Sequence, residues 1–321
     1  MALHVDIRRR LAFPIFAAPM VGCGGPELAA ACSRAGIVGS LSCLDNRGVS
    51  NLEGNLHKIS CELSRHEMSG TRQLSGPIAV NLSPAWCETE FRDYLKVCRR
   101  YGVDIIITSV GNPCDVAPMI KEAGLFHFHA ATSVKFAEKA ARAGVDGLIC
   151  VCAGGGGHSG TMNPMAFVRE ARSLFGGTLA VGGAISDGEG IRAAEVLGAD
   201  LAYMGTRFIA TQEAEAASRY KAMLLRSDAS EIVYSNGVDG LPGSWLKPSL
   251  REAGLDPDNM PSPSPRSTAH LPDGVSPFSS IWSAGQGVGL IEDLPLVSDL
   301  VARLRREYIA AVNARSWLLS V

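Results

Sequence analysis

Hydrophobic positions along the chain gather in eight short runs, each followed by glycine or polar residues and then by a helical pattern. Several runs lack the polar alternation of a half-exposed strand, which is typical of parallel strands buried on both faces. The pattern predicts eight strands. They are "PIFAAP" (14–19), "IVGSLS" (37–42), "PIAVNL" (77–82), "VDIIITS" (103–109), "LFHFHA" (125–130), "DGLICV" (146–151), "TLAVGG" (178–183) and "DLAYMG" (200–205).

The segments between these runs have the features of amphipathic helices. "PELAAACSRAG" opens with proline and stops at glycine, which is the usual asymmetry of helix ends. "SVKFAEKAARAG" places Val134, Ala137, Ala140 and Ala141 on one face, and "DGEGIRAAEVLGAD" repeats the arrangement. Strands that alternate with helices in this way predict a (β/α)8 TIM barrel. A doubly wound open sheet is the alternative, but a count of eight favours closure.

The alternation of apolar runs and helical patterns ends in the last third of the chain. Residues 235–280 are rich in proline, glycine and serine, yet they also contain Trp245 and several leucines that a solvated linker would not need. We therefore expect an insertion over the barrel mouth, followed by a closing helix over 294–312. The predicted organisation is a barrel domain (1–234), the insertion or lid (235–280) and a C-terminal segment that completes the barrel domain (281–321).

Composition and charge exclude several functional classes. The formal net charge is −2 and no long basic run occurs, so nothing indicates a nucleic-acid partner. No apolar stretch reaches the roughly 18 residues of a membrane span, and the N-terminus has no signal-peptide core. The nine cysteines show neither CxxC nor a metal-type Cys/His spacing, and Cys150 and Cys152 are expected to be core residues. We expect a soluble cytoplasmic protein without a metal site.

Three glycine loops follow the sixth, seventh and eighth predicted strands. They are "AGGGGHSGT" (153–161), "VGGAISDG" (181–188) and "MGTRF" (204–208). In a TIM barrel these loops lie at the functional end, and glycine turns after strands seven and eight form the usual phosphate site. The pattern predicts a phosphorylated ligand with His158 at its edge. Ordinary tight turns between strands and helices are the alternative.

These motifs resemble those of the nitronate monooxygenases, formerly 2-nitropropane dioxygenases, which are FMN-dependent (β/α)8 barrels. The resemblance runs from "FPIFAAPM" through "AVNL" to "IWSAGQGVGLI". It implies an FMN cofactor and makes His158 the catalytic residue. The residues that it assigns to the cofactor are Ala18, Pro19, Met20, Asn81, Gly156, Gly157, Gly183, Ala184, Met204, Gly205 and Thr206.

The sequence departs from the family pattern at three places. Val151 stands where many members have glutamine, and Ala184 stands where many have a second glycine in the phosphate turn. The quinone-reducing relatives have a lysine near the end of the fifth strand, whereas this region reads "FHFHAATS". These three departures are compatible with a flavin site, and they affect the prediction of the substrate more than that of the cofactor.

The resemblance implies that an alkyl nitronate is oxidised with O2 to a carbonyl compound and nitrite. Protonated His158 would donate a hydrogen bond to a nitro oxygen, and neutral His158 would take the α-proton of a nitroalkane. A loop histidine that only contacts backbone is the other interpretation. Secondary candidates around the substrate are His129, Trp282, Ser283 and Gln286, although core or packing roles are equally open for His127, His129 and Trp282.

Two other functions remain open at this point. One is an NAD(P)H-dependent flavin reductase that acts on a quinone or an enoyl thioester. The other is a non-catalytic barrel that binds a flavin or a phosphosugar. The physiological nitro compound and the presence of a homo-oligomer are also open.

Overall fold

In the computed structural model, residues 3–43, 48–70 and 74–314 are described. Eight parallel strands form one sheet in the order β1-β9-β8-β6-β5-β4-β3-β2, and a parallel bridge between Phe16 and Val38 joins its two edges. The strands, in chain order, are β1 (Ile15–Ala17), β2 (Gly39–Ser42), β3 (Ile78–Leu82), β4 (Ile105–Thr108), β5 (Phe126–Ala131), β6 (Gly147–Val151), β7 (Gly157–His158), β8 (Thr178–Gly182), β9 (Leu201–Met204), β10 (Ile232–Ser235) and β11 (Gly243–Leu246).

Each of the eight predicted runs contains the core of one barrel strand, so the predicted TIM barrel is confirmed. The barrel strands are β1 to β6, β8 and β9. The helices are α1 (Val5–Arg10), α2 (Pro26–Arg34), α3 (Val49–Met68), α4 (Glu88–Arg100), α5 (Ala117–Glu122), α6 (Val134–Arg142), α7 (Pro164–Leu174), α8 (Gly188–Leu197), α9 (Thr206–Ile209), α10 (Ser218–Leu224), α11 (Lys247–Glu252) and α12 (Val297–Asn313). Three 3₁₀ segments are Pro113–Asp115, Ala229–Glu231 and Gln286–Leu290.

Helix α12 closes the barrel domain, as its apolar stripe predicted. Val297, Leu300 and Leu304 on this helix are buried in one cluster with residues of β1 and α2. The fit against α8 is close, because a Cβ at Gly188 would lie 2.2 Å from the backbone nitrogen of Tyr308. The predicted C-terminal segment runs on to residue 321, and its residues 315–321 lie outside the described part of the chain.

Side chains alternate between the barrel interior and the helical layer. Phe16, Phe128 and Ile149 fill the interior, and Ile7 of α1 packs into the same cluster. On the outer face, Cys150 and Cys152 are fully buried, as expected for core residues, and burial raises the pKa of both thiols. This alternation decides which side chains of a strand can reach the barrel mouth.

A polar cluster lies on the outer face of β4 and β5. The hydroxyl oxygen of Thr108 lies 2.7 Å from Nε2 of His127 and 2.8 Å from Nδ1 of His129. Both histidines are buried, and Nδ1 of His127 has no hydrogen-bond partner among the described residues. Burial lowers the pKa of His127 to about 3, and the charge of His129 makes a smaller contribution. Burial also lowers the pKa of His129 to about 4, with a smaller contribution from the charge of Lys139.

Acidification is therefore expected to destabilise the protein. Below pH 6.5 the unfolded chain takes up protons on these histidines, while the folded chain does so only near pH 3 to 4. The free energy of unfolding should fall by about 2 kcal/mol per histidine between pH 7 and pH 5. Urea unfolding at pH 7 and at pH 5 measures this difference in the free energy of unfolding. A His127→Gln/His129→Gln variant should lose most of the slope, and His57→Gln, at an exposed position, should keep it. An unchanged slope in the double variant would assign the acid sensitivity to other groups.

The insertion (residues 235–280) has a small core and contributes strand β11 to a second, three-stranded sheet. Strand β11 pairs antiparallel with both β10 and β7, so the sheet order is β10-β11-β7. Val238, Trp245, Leu250 and Ile281 are each 0% exposed and pack together. This core explains why a segment so rich in proline and serine contains tryptophan and leucine.

None of the helices in the described ranges is both long enough and apolar enough for a membrane span.

Candidate active site

A cavity of about 260 Å³ opens at the carboxyl ends of the barrel strands. Its wall is formed by the loops that follow β1, β6, β8 and β9, by strand residues such as Asn81 of β3, and by Phe278 of the insertion with Ser283, Gly285 and Gly287 just after it. Glycines from the three predicted glycine loops make up much of the lining. The described loops therefore meet at one end of the barrel, as the strand order requires.

The turn after β8 has a backbone conformation that favours glycine. Gly183 has φ 142°, and its Cβ would lie 2.7 Å from the carbonyl oxygen of Ala153. Ala184 follows with φ 55°, and its N–H donates to the carbonyl oxygen of Gly154 at 3.2 Å. An alanine in this region carries a strain of about 1 kcal/mol. The turn thus keeps its left-handed shape at the position where the sequence departs from the family pattern.

The four-glycine loop packs against the chain that returns from the insertion. A Cβ at Gly156 would lie 2.9 Å from the backbone of both Ala284 and Gly285. The N–H of Gly285 donates to Oγ1 of Thr206 at 2.9 Å, which links the loop after β9 to the same segment. Close approach between backbones is therefore one physical reason for the glycines, alongside the predicted contact with a ligand.

His158 lies at the edge of the cavity on the two-residue strand β7. Its backbone is paired with Gly243 of β11. Its ring meets the ring of Phe278 edge-on at 5.6 Å and that of Trp245 at 6.3 Å between centroids. Its Nε2 lies 2.8 Å from Oδ2 of Asp239. Backbone pairing, two aromatic rings and a carboxylate together fix the direction of the imidazole.

Asp239 is a residue that the sequence did not single out. Its Oδ1 accepts the N–H of Leu241 at 3.1 Å, so the carboxylate is held by its own turn. Burial raises the pKa of Asp239, but the hydrogen bond and charge of His158 outweigh this and lower the pKa below its ordinary value. The group is therefore an anion at neutral pH. Its only sequence signal is an acidic residue within the glycine-rich turn "NGVDG" (236–240).

The structure brings together most of the residues predicted for the site. His158, Ser283 and the predicted cofactor residues line the same cavity. The cofactor residues are Ala18, Pro19, Met20, Asn81, Gly156, Gly157, Gly183, Ala184, Met204, Gly205 and Thr206.

Three predicted secondary residues lie outside the lining. His129 is on the outer face of β5, because its neighbours Phe128 and Ala130 occupy the inner face. Trp282 stacks on Tyr220 at 5.0 Å between centroids, and its indole N–H donates to the carbonyl oxygen of Ser279 at 3.1 Å. Gln286 begins a 3₁₀ segment, and its backbone N–H donates to Gly154 at 2.9 Å. The part that these three residues would play beside the substrate stays a prediction.

The electrostatic character of the cavity is set by few groups. Among the described residues, the lining contains no lysine, arginine, aspartate or glutamate. Burial raises the pKa of Tyr203 and of Tyr220, so both phenols are neutral. His158 is thus the one lining side chain of the described chain that can carry a positive charge. Nor does this part of the chain bring three His, Cys, Asp or Glu side chains together in a cluster that could hold a metal ion.

Comparisons with known proteins agree with this architecture. The sequence profile described as nitronate monooxygenase matches residues 70–307. A nitronate monooxygenase of Paraburkholderia phytofirmans is 28% identical, with 92% of each chain covered, and one of Pseudomonas aeruginosa is 28% identical, with 91% of this chain and 96% of the relative covered. Among solved structures, nitroalkane oxidase from Streptomyces ansochromogenes superposes with a TM-score of 0.79 at 22% identity, covering 96% of this chain and 99% of that chain. FabK from Thermotoga maritima does so with a TM-score of 0.74 at 24% identity, covering 96% of each chain.

Proposed function

Because the chain belongs to the nitronate monooxygenase family, we propose that it oxidises alkyl nitronates with O2 to a carbonyl compound and nitrite. The family identifies the protein as a flavin-dependent oxidoreductase. The observation that carries the finer proposal is the placement of His158. It is the one side chain that can carry a positive charge on the described wall of a cavity that has no lysine, arginine, aspartate or glutamate.

The residues present fit a flavin mononucleotide. The turn at Gly183 and Ala184 and the loop at Gly205 and Thr206 offer backbone at the usual barrel phosphate position. Met20, in the loop after β1, and Asn81, in β3, line the same cavity and would lie beside the flavin ring. Nδ2 of Asn81 donates to the carbonyl oxygen of Ile107 at 3.3 Å. The bound flavin would supply the electron acceptor. The protein would supply the phosphate grip, the apolar wall and the histidine.

His158 would act on the nitro group of the substrate. A nitronate is an anion whose charge lies on the nitro oxygens, and the imidazolium donates a hydrogen bond to one of them. With a neutral nitroalkane, the neutral imidazole instead accepts the α-proton and leaves a nitronate in place. An enoyl thioester of coenzyme A, or NAD(P)H, would bring further phosphate groups. No lysine or arginine of the described chain lines the cavity to receive them.

One experiment tests this proposal against its alternatives. The purified protein is mixed with propionate 3-nitronate in air, and nitrite and O2 consumption are measured. We expect nitrite release, and we expect anaerobic nitronate to bleach the flavin. Rapid bleaching by NADH or NADPH with no nitrite from the nitronate would instead establish the flavin reductase. Failure of every donor to bleach the flavin would indicate a binding protein without catalysis.

We also expect the protein to purify yellow with non-covalent FMN. The loops after β8 and β9 would hold a single phosphate group, and the sequence has no dinucleotide fingerprint for an adenylate half. Heat denaturation followed by chromatography of the released flavin shows whether the cofactor is FMN or FAD. FAD in the supernatant would contradict it.

The insertion (residues 235–280) would act as a lid between the barrel (1–234) and the closing segment (281–321). Its Phe278 lines the cavity and packs against His158. Phe278 has φ 62°, an uncommon conformation for a bulky residue, and the hydrogen bond from its N–H to the carbonyl oxygen of Ile281 at 2.8 Å helps to hold it. A lid that presents an aromatic ring would favour the apolar chain of an alkyl nitronate.

A further inference from the structure

The catalytic histidine and the insertion are joined by more than packing. His158 follows the four-glycine loop, whereas Asp239 lies in the insertion, 81 positions later in the chain. Strand β11 pairs with β7 and brings the turn 236–241 beside the imidazole. The contact between Nε2 of His158 and Oδ2 of Asp239 at 2.8 Å is therefore built by the insertion.

The carboxylate of Asp239 is held independently of the ring that it meets. Its second oxygen accepts the N–H of Leu241, and the N–H of Gly240 donates to the carbonyl oxygen of Asn236 at 2.9 Å. The side chain of Asp239 is 12% exposed and does not line the cavity. Asp239 consequently has no access to a substrate except through His158.

The geometry assigns the two ring nitrogens of His158 to different partners. A carboxylate only accepts hydrogen bonds, so the hydrogen on this edge of the ring belongs to Nε2. Nδ1, the other ring nitrogen, is then the one that would contact a substrate in the cavity that His158 lines. When Nδ1 also carries a proton, the positive charge of the ring is matched by the carboxylate at 2.8 Å.

We propose that Asp239 is a positioning residue, which fixes His158 with a hydrogen on Nε2 and stabilises its imidazolium form against the nitro group of the substrate. The proposal deepens the nitronate oxidation proposed above and rests on it for the identity of the substrate. The charge of a nitronate is then met at Nδ1. With a nitroalkane, the Cα–H bond breaks, its electron pair forms the C=N bond of the nitronate, and the proton moves to Nδ1.

No other charged side chain competes for this role on the described wall. The remaining titratable groups that line the cavity are Cys23, Tyr203 and Tyr220. The groups that face the ring from the insertion, besides Asp239, are Trp245 and Phe278, which do not titrate. Among these groups of the described chain, the carboxylate of Asp239 is therefore the one charge that meets the ring.

The test uses Asp239→Asn in the holoenzyme, with Asp273→Asn in an exposed part of the insertion as the matched control. Asparagine keeps the size and an acceptor oxygen but removes the charge. Initial rates with propionate 3-nitronate are measured from pH 5.5 to pH 9. We expect kcat/KM at pH 8 to fall by about tenfold, the change that a one-unit shift of the imidazole titration produces. The pH above which activity is lost should move down by about one unit, so that the variant approaches the wild type at pH 5.5.

A merely structural role would lower activity equally at every pH, and that result would overturn the proposal. A second readout does not depend on turnover. The imidazole ¹⁵N signals of His158, identified by their absence from His158→Ala, are followed by NMR as the pH is raised. We expect Asp239→Asn to lose the imidazolium at lower pH than the wild type, and identical titrations would refute the assignment. A shift without nitronate turnover in the wild type would uphold Asp239 and reject the proposed substrate.

Discussion

Replacement of His158 by alanine is expected to lower nitronate turnover by about 10²- to 10⁴-fold, the usual contribution of a positioned acid or base. The side chain is partly exposed at the edge of the cavity, so its removal leaves no closed cavity in the core. The backbone pairing of β7 with β11 does not depend on the imidazole. Nitrite release gives the rate, and the visible spectrum with thermal unfolding shows whether flavin and fold remain.

The matched control is His57→Ala, which removes an exposed histidine from α3, away from the cavity. It should behave as the wild type in both measurements. Near wild-type turnover by His158→Ala, with the flavin retained, would reduce His158 to a loop residue. Loss of the flavin together with the activity would show that the imidazole also serves the cofactor site.

Replacement of Trp245 by alanine is expected to destabilise the insertion by about 3 to 5 kcal/mol, the usual cost of removing a large buried aromatic side chain. Trp245 is 0% exposed and forms the centre of the insertion core with Val238, Leu250 and Ile281. Its indole N–H donates to the carbonyl oxygen of Ser235 at 3.3 Å. Hydrogen exchange of the amides in 232–250 and urea unfolding measure the loss.

The same variant should affect catalysis through the histidine that the insertion holds. The KM for nitronates should rise and kcat should fall, while the flavin stays bound by the loops after β8 and β9. Trp245→Phe should recover most of the stability, and Trp86→Ala, in the loop after β3, should leave the KM unchanged. An unaltered KM in Trp245→Ala would show that the insertion does not shape the pocket.

The barrel could be predicted because its signals are local. Each strand is a short apolar run beside a glycine turn, and each turn after β6, β8 and β9 lies within a few residues of its strand. The order of a (β/α)8 barrel then places all of these turns at one end, so the meeting of His158, Gly183 and Thr206 at one cavity followed from connectivity.

The remaining parts of the site depend on contacts between distant segments, which have no local signal. Asp239 meets His158 only because β11 pairs with β7, and a two-residue strand such as β7 has too few residues for a pattern. The side of the sheet on which His129 lies depends on whether the odd-numbered or the even-numbered residues of β5 face the barrel interior. Sequence alternation shows that two sides exist and does not show which one faces the barrel interior.

The return of the chain to Gly285, which hydrogen-bonds to Thr206 and packs on Gly156, has a consequence for biosynthesis. A ribosome releases all eight barrel strands by Met204, but the segment that completes the cavity wall emerges some 80 residues later. A nascent barrel therefore has a cavity that is open on this side until residues 278–287 have been made. We therefore expect tight flavin binding to require this segment, so that chains truncated near residue 260 should hold a flavin less tightly than the full chain.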